Sequence, residues 1–245
     1  MEITILGSGN GMPSLRRNPP GYLFKIKGKN LVFDPASCAL QSLLKCNVDY
    51  NAIDYIFITH THPDHFSDLI PLLFVWRRKR EIDINIIGFT GLKKFIKNIF
   101  KIIPATEPKF YKINYTEMAN SRISIDEIKI ESKRLKHCKN SVGFRIETEG
   151  KIVAYSGDSD VCKNLATLSK DADLFICEAT MPDELKYKGH LTSSEAGEIA
   201  QKSNVKKLVL THLSPICGKY DIKSQAEKTF GGEVVIAEDL MTIKV

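Results

Sequence analysis

The sequence lacks the features that would place the chain in a membrane or outside the cell. No apolar run reaches the roughly 18 residues that a membrane-spanning helix needs. Residues 1–6 look like a first strand, and they show none of the basic, apolar and small-residue regions of a signal peptide. The six cysteines form no CxxC pair and no small-domain disulfide framework. We therefore expect a cytoplasmic protein that has reduced cysteines and does not associate with membranes.

The chain also lacks internal repeats, low-complexity tracts and any linker rich in Pro, Gly or Ser. Its 245 residues, 43% hydrophobic and 26% charged, are ordinary for a globular protein with a sizeable core. We expect residues 1–245 to form a single domain. The net charge of +6 permits an anionic partner, but a solvated basic surface explains it equally well.

Strand-like and helix-like runs alternate along the chain, which predicts an α/β fold with sheets inside and helices outside. The Thr-Ser-Ser-Glu start of the fifth helix is typical of a capping box. Predicted strands lie at 31–34, 55–59, 84–87, 128–132, 143–148, 151–156, 174–178 and 207–211. Predicted helices lie at 38–45, 67–80, 91–100, 161–170, 193–203 and 223–229.

Three of the six histidines are crowded into HTHPDH at residues 60–65. His60 and His62 are two positions apart where a predicted strand ends, so both side chains can point to the same side. Asp64 and His65 follow in the turn that leads into a helix. Neutral imidazole binds transition metals. Four potential ligands in one loop therefore favour a metal site over histidines of the core or the surface.

The remaining histidines and one aspartate occupy contexts where further ligands are expected. His137, His190 and His212 each lie beside a strand end or in a turn. Asp158 also follows a predicted strand, and Gly157 before it allows a tight turn that presents the carboxylate. Functional groups gather on such loops.

Taken in order, these motifs resemble the metallo-β-lactamase superfamily, and more closely its ribonuclease Z-like branch. The resemblance covers nearly the full chain. It rests on TILGSGNGMPSLRRN, LVFDPAS, FITHTHPDH, YSGDSD, DADLFICEAT, GHLTSSEAGEIA and LVLTHLSP. HxHxDH alone marks only the superfamily, whereas the ordered set is much more specific. The resemblance implies a four-layer αβ/βα sandwich with two divalent metal ions at one edge.

The resemblance also implies a metal-bridging hydroxide as the nucleophile, with Asp64 orienting it. Donors of nitrogen and oxygen without thiolate suit Zn²⁺, and Mn²⁺ or iron fit the same set. Seven side chains are implied as ligands: for the first metal His60, His62 and His137; for the second Asp64, His65 and His212; and as a bridge between both Asp158.

Supporting and catalytic roles are implied for three residues outside the ligand set. Asp34 of LVFDPAS is expected to support the loop that carries the ligands without binding a metal itself. In the family the GH position faces the substrate, so His190 is expected to supply a proton or a positive charge to the leaving group. Glu178 of the CEAT stretch would hold the His190 ring. The alternative for His190 is a surface histidine that only caps the following helix.

Two arginines and one cysteine near these motifs need separate expectations. Arg16 and Arg17 lie in the loop after the first strand, and we expect one or both to bind substrate phosphate at the mouth of the site. A solvated loop is the alternative. Cys138 follows His137 directly, so in an extended segment it would point away from the metal and have a structural role.

The fold alone leaves three functions open. They are hydrolysis of small phosphodiesters, removal of the 3′ trailer from precursor tRNA, and a non-phosphate role such as lactone or thioester hydrolysis or metal binding. The sequence departs from the ribonuclease Z pattern in two places. Only residues 138–157 precede Asp158 after the third-histidine motif, which leaves no room for the protruding tRNA-binding arm, and Cys177 replaces the usual histidine before Glu178. We therefore place a small phosphodiester or a nucleotide-like anion first and RNA second as substrate, and expect a homodimer from the resemblance only.

Overall fold

Two β-sheets of seven strands each form the framework of the described part of the chain. The computed structural model describes residues 1–245, apart from the side chain of Lys79. The first sheet contains β1 (Glu2–Gly7), β2 (Gly21–Ile26), β3 (Lys29–Phe33), β4 (Tyr55–Ile58), β5 (Ile84–Phe89), β6 (Ile113–Met118) and the C-terminal β14 (Thr242–Lys244). The second contains β7 (Ser121–Ile125), β8 (Ile128–Arg134), β9 (Val142–Thr148), β10 (Lys151–Tyr155), β11 (Leu174–Glu178), β12 (Lys207–Thr211) and β13 (Glu233–Ile236).

Six α-helices accompany these strands in the described residues. They are α1 (Ala39–Lys45), α2 (Leu69–Lys79), α3 (Leu92–Ile102), α4 (Lys163–Ser169), α5 (Ser193–Lys202) and α6 (Ile222–Glu227). Short 3-10 helices lie at Tyr50–Ala52, Pro63–His65, Pro104–Thr106, Asp183–Leu185 and Pro215–Lys219. Among the helices that the structure describes, none has both the length and the apolar content required to cross a bilayer.

The burial pattern shows why the elements stack in four layers. Along β11, Leu174 and Ile176 pack into the core between the sheets, whereas Phe175 and Cys177 pack against the helices outside. Successive side chains of a strand point to opposite faces, so a strand buried on both sides must be apolar throughout. The order helix, sheet, sheet, helix confirms the predicted αβ/βα sandwich.

Aromatic side chains join the two sheets in the central core. Phe33 of β3 stacks on Phe57 of β4 with ring centroids 4.3 Å apart, and both meet the edge of Phe144 from β9 at 5.7 and 5.3 Å. All three rings are fully buried. Such contacts fix the spacing of the sheets on which the candidate site is built.

The strands and helices predicted from the sequence are all present, with ends shifted by a few residues. Five strands were not predicted: β2, β6, β7, β13 and β14. Strands β6, β7 and β14 lie at or near sheet edges and are half exposed, so their residues lack a sustained apolar run. Strand β9 turns directly into β10 at Glu149 and Gly150, both with positive φ, so the segment before Asp158 is a tight hairpin without a protruding arm.

Strand direction brings the functional loops to one edge. In the first sheet β3 and β4 run parallel, with Phe33 beside Phe57. In the second sheet β10, β11 and β12 are also parallel, with Glu178 beside Thr211. The carboxyl ends of parallel strands are the usual place for ligand sites in α/β sheets. The loops after β3, β4, β8, β10, β11 and β12 carry the residues described next.

Candidate metal centre

Four imidazoles surround the carboxylate of Asp158, which is only 2% exposed. The Nε2 atoms of His60, His65 and His137 lie 3.7, 3.3 and 3.6 Å from its Oδ2. The Nε2 atom of His212 lies 3.3 Å from its Oδ1. Three segments of chain, the HTHPDH loop and those that carry His137 and His212, thus converge on one buried carboxylate.

Several of these converging atoms have no protein partner. The Nε2 atoms of His60, His65 and His212 and the Oδ1 atom of Asp158 are buried without a hydrogen bond to any described residue. A buried polar atom left unpaired costs about 1–3 kcal/mol. Several nitrogen and oxygen lone pairs that point at one space are satisfied together by a divalent cation. The donor set therefore fits a metal centre.

Two groups of ligand atoms match the two ligand sets implied by the sequence resemblance. Within each group, the ligand atoms lie within 4.8 Å of one another. His62 Nδ1 is also only 3.1 Å from His137 Nε2, so both nitrogens point at the same space. The first group comprises His60, His62, His137 and Cys138; the second comprises Asp64, His65 and His212; and a third, which links them, comprises His60, His65 and Asp158.

The expectation that Cys138 points away from the histidines is wrong. Its Sγ belongs to the first group of ligand atoms and also lies 3.0 Å from Ser141 Oγ. Strand β8 ends at Arg134, and the chain then turns, with Ser141 N donating to the Cys138 carbonyl at 3.2 Å. The alternation of an extended strand therefore does not apply to this segment.

The opposite ring nitrogen of each converging histidine is held by a hydrogen bond. For His65 and His137, the acceptors are a carboxylate and a backbone carbonyl, so Nδ1 must carry a proton and Nε2 is the nitrogen available to bind a cation. The Nδ1 contacts are His60 with Thr59 Oγ1 at 3.0 Å, His65 with Asp34 Oδ2 at 2.9 Å, His137 with the Gly189 carbonyl at 2.8 Å, and His212 with Thr180 Oγ1 at 2.8 Å.

Two threonines fix the other two histidines in the same tautomer. The Thr59 hydroxyl donates its proton to Asp34 Oδ2 at 2.7 Å, so its oxygen must accept from His60 Nδ1. In the same way the Thr180 hydroxyl donates to Glu178 Oε2 at 2.6 Å and accepts from His212 Nδ1. A hydroxyl has only one proton, so each threonine relays the orientation set by its carboxylate. Sequence reasoning did not single out Thr59 or Thr180. The available signal is that Thr59 directly follows β4 and Thr180 lies two residues after the end of β11.

Asp34 and Glu178 have equivalent roles on the two sheets, since each carboxylate accepts hydrogen bonds from a threonine and a histidine. Asp34 is fully buried, and besides Thr59 and His65 it accepts from the Tyr155 hydroxyl at 2.6 Å. Glu178 is also fully buried and accepts from His190 Nδ1 at 3.0 Å. Each carboxylate thus orients one ring directly and a second ring through a threonine. The expected supporting position of Asp34 agrees with these contacts.

His190 lies at the rim of the centre, where it forms one group of possible ligand atoms with His137 and Asp158 and another with Glu178 and His212. Its Nδ1 is 4.0 Å from Asp158 Oδ2, and its ring stacks on His212 with centroids 5.5 Å apart and 13° between the planes. Burial lowers the pKa of His190, but the hydrogen bond to Glu178 and the charge of that carboxylate outweigh it and raise the pKa to about 9. The side chain is 14% exposed, so a cationic ring faces the opening of the site.

The backbone around the centre adopts unusual conformations. His212 has φ of 58°, a left-handed value that a non-glycine residue adopts only when its surroundings enforce it. Gly157 has φ of 56°, and a Cβ there would lie 2.7 Å from the Thr59 methyl group. Only glycine therefore allows the Asp158 loop to approach the loop after β4 so closely.

The loop after β1 lies against the second ligand group. A Cβ at Gly11 would be 2.8 Å from Asp64 Oδ2. Within this loop the Arg17 guanidinium donates to Ser8 Oγ at 2.7 Å and to the Ala237 carbonyl. Arg16 is exposed. These contacts favour a structural role for Arg17 and leave Arg16 as the arginine of the pair that is free to meet a substrate.

A family model described as Beta-lactamase superfamily domain matches residues 29–213. The matched segment begins at β3 and ends just after His212, so it contains all the residues that converge on Asp158. Similar solved structures include the metallo-beta-lactamase fold protein YhfI from Bacillus subtilis, at 26% identity and a TM-score of 0.88 over 99% of this chain and 98% of that one. The short form of human tRNase Z is 27% identical, with a TM-score of 0.82 over 100% and 99%.

Curated relatives named ribonuclease Z are similar along their whole length. The protein from Archaeoglobus fulgidus is 26% identical over 100% of this chain and 97% of its own. The one from Sulfurisphaera tokodaii is 29% identical over 95% and 96%. The alignment with the first spans 304 positions while this chain has 245 residues, so that relative has at least 59 residues without a counterpart here.

Proposed function

The chain belongs to the family described as Beta-lactamase superfamily domain, and on that premise we propose that it is a metal-dependent hydrolase that cleaves small phosphodiesters. The observation that carries the proposal is the ring of unpaired Nε2 atoms around the buried Asp158 carboxylate. A phosphodiester is an anion, and cations that bind its oxygens stabilise the charge that develops during cleavage.

We propose that two divalent ions, with Zn²⁺ first and Mn²⁺ or iron as alternatives, occupy this centre. When bound, the ions supply a nucleophile from water at neutral pH and neutralise charge on the phosphate. Burial disfavours a proton on His65, but Asp158 and Asp34 raise its pKa above the usual range, so these two carboxylates favour positive charge at this position. The proposed ligands are His60, His62 and His137 for one ion, Asp64, His65 and His212 for the other, and Asp158 for both.

The other polar side chains then have defined tasks in the proposed reaction. Asp64 is partly exposed at the opening and orients the attacking water. His190 donates a proton to the leaving oxygen, because its ring is cationic and open to the site. Glu178 holds that ring and, through Thr180, also holds the His212 ring.

Processing of tRNA 3′ ends is the second candidate, favoured by the names of the curated relatives and of one solved structure. The tight β9–β10 hairpin and the shorter chain argue against it, since no arm precedes Asp158 in the described residues. We also propose a homodimer, which size-exclusion chromatography with light scattering would test.

The metal-loaded protein should therefore be assayed on bis(p-nitrophenyl) phosphate, cyclic nucleotides and precursor tRNA. We expect hydrolysis of small diesters at neutral pH and weak or no cleavage of precursor tRNA. Efficient, site-specific removal of the trailer would place tRNA processing first. Hydrolysis of a lactone or a thioester without any phosphodiester activity would contradict the proposal.

Thr59→Val is expected to lower zinc affinity by about 10- to 100-fold, the scale seen when a group that orients a metal ligand is lost. The change keeps the shape of the side chain but removes the hydroxyl that joins Asp34 to His60. Competition with a chromogenic chelator measures the affinity. Thr148→Val is a matched control, because the buried Thr148 hydroxyl has no partner among the described residues. Thr59→Ser should retain the affinity, and equal losses in all three variants would contradict the relay.

Arg16→Ala and Arg17→Ala are expected to affect different properties. Loss of Arg17 removes its contacts with Ser8 and Ala237 and should lower the free energy of unfolding by about 1–3 kcal/mol. Loss of the exposed Arg16 should leave stability unchanged and raise KM for anionic substrates about two- to fivefold. Urea denaturation and steady-state kinetics distinguish the two. An unchanged KM in the Arg16 variant would favour a solvated loop.

A further inference from the structure

Three rings follow one another in near-parallel planes from the metal centre to the surface. His212 stacks on His190 with an interplanar angle of 13°, and His190 in turn stacks on Tyr187 with 27° and centroids 6.0 Å apart. His212 is buried, His190 is partly buried, and Tyr187 is 62% exposed. The series therefore ends at Tyr187, whose ring is open to solvent and lies beside His190.

A tight turn holds Tyr187 in this position. The His190 amide donates to the Tyr187 carbonyl at 3.2 Å, and Gly189 between them has φ of 92°. A hydrogen bond from the fourth to the first residue, with positive φ at the third, is the pattern of a type II turn. Such a turn brings its first and last residues close together, so the side chains of Tyr187 and His190 are neighbours.

The turn is also anchored on both sides, although it is on the surface. The Lys186 ammonium group donates to Asp160 Oδ1 at 2.9 Å, to the His190 carbonyl and to Glu195. The Gly189 amide donates to Asp160 Oδ2 at 3.3 Å. Asp160 lies two residues after Asp158, so these contacts tie the turn to the loop of the metal centre. A ring held in place loses little conformational entropy when a ligand stacks on it.

We propose that Tyr187 is a stacking surface for a nucleobase and gives this site a preference for nucleoside phosphodiesters over simple alkyl diesters. The inference rests on the proposed phosphodiesterase function and specifies its substrate. Every nucleobase has a flat π-face, and stacking on an exposed aromatic side chain favours all bases without reading their sequence. Lys188 at the second position of the turn is exposed and adds a positive charge to this segment, which favours an anionic ligand. A single exposed aromatic residue is common on protein surfaces; what distinguishes Tyr187 is its fixed position next to His190.

Binding of two matched ligands to the metal-loaded protein tests the proposal without relying on turnover. AMP and ribose 5-phosphate share the sugar phosphate and differ in the base. By calorimetry we expect AMP to bind about tenfold more tightly than ribose 5-phosphate, within the range known for base stacking. Tyr187→Ala should abolish this difference and leave the affinity for ribose 5-phosphate unchanged, and Tyr187→Phe should retain it. Phe110→Ala is the control, because Phe110 is 64% exposed and precedes β6, an edge strand of the first sheet, whereas Tyr187 follows β11 of the second.

Three results would overturn the proposal: no preference for AMP in the unaltered protein, the same preference in Tyr187→Ala, or an equal loss of affinity for both ligands.

A kinetic comparison separates this inference from the proposed function. Tyr187→Ala should raise KM about tenfold for thymidine 5′-(p-nitrophenyl phosphate) and leave KM for methyl p-nitrophenyl phosphate unchanged. If the unaltered protein cleaves neither ester but keeps a Tyr187-dependent preference for AMP, the phosphodiesterase function fails and the stacking site stands.

Discussion

Asp158→Ala is expected to abolish turnover and to reduce bound metal from two ions per chain to less than one. Asp158 is the carboxylate on which four imidazoles converge, and it carries the negative charge that offsets two dications. Its removal leaves Asp64 as the one carboxylate among the proposed ligands and takes away the anion shared by the two ions, which then repel each other more strongly. Metal analysis of protein exchanged into metal-free buffer and reloaded with zinc measures the loss.

Thermal unfolding with and without zinc provides the control for this variant. A metal that binds only the folded state raises Tm, so the unaltered protein should melt higher in zinc than in chelator. Asp158→Ala should lose this difference, whereas Asp173→Asn should keep it, because Asp173 binds Ile152 N and Lys206 away from the centre. Full activity and full metal content in Asp158→Ala would rule out the bridging role.

His190→Ala is expected to lower turnover by about 100-fold or more with normal metal loading, the usual scale for a general acid. The His190 side chain stacks on His212, and its Nδ1 is hydrogen-bonded to Glu178. A leaving alkoxide needs a proton, whereas p-nitrophenolate does not. The loss should therefore be smaller for esters of p-nitrophenol than for alkyl esters.

The dependence on the leaving group separates the roles that His190 can have. Equal losses on good and poor leaving groups would assign His190 to phosphate binding, and no loss would make it a residue of the turn before α5. Glu178→Gln should behave differently from His190→Ala. Because Glu178 also orients His212 through Thr180, its change should reduce metal affinity as well as turnover.

The candidate ligands could be predicted from the sequence because each follows a strand of clear pattern. The apolar run of β4 places HTHPDH at a strand end, and the run of β10 does the same for Asp158. Parallel pairing then brings such ends to one edge. The capping box of Thr192 and Glu195 at the start of α5 was also predicted and is present.

Other features of the site depend on contacts between distant residues, which no local pattern contains. The relay from Asp34 through Thr59 to His60 joins loops of different strands. Cys138 approaches the histidines only because the chain turns after β8. The neighbour of His190 in space, Tyr187, is fixed by a turn whose glycine also contacts His137. Such features appear only when the two sheets are packed together.

The central claim, that this chain is a metal-dependent phosphodiesterase, is tested most directly by titrating metal-free protein with zinc while following hydrolysis of bis(p-nitrophenyl) phosphate. The account predicts no hydrolysis without metal and a rate that rises with added zinc until two ions are bound per chain. Parallel titrations with Mn²⁺ and Fe²⁺ cover the other ions that fit the donors. Hydrolysis at full rate in the metal-free protein, or no hydrolysis with any of the three ions bound, would contradict it.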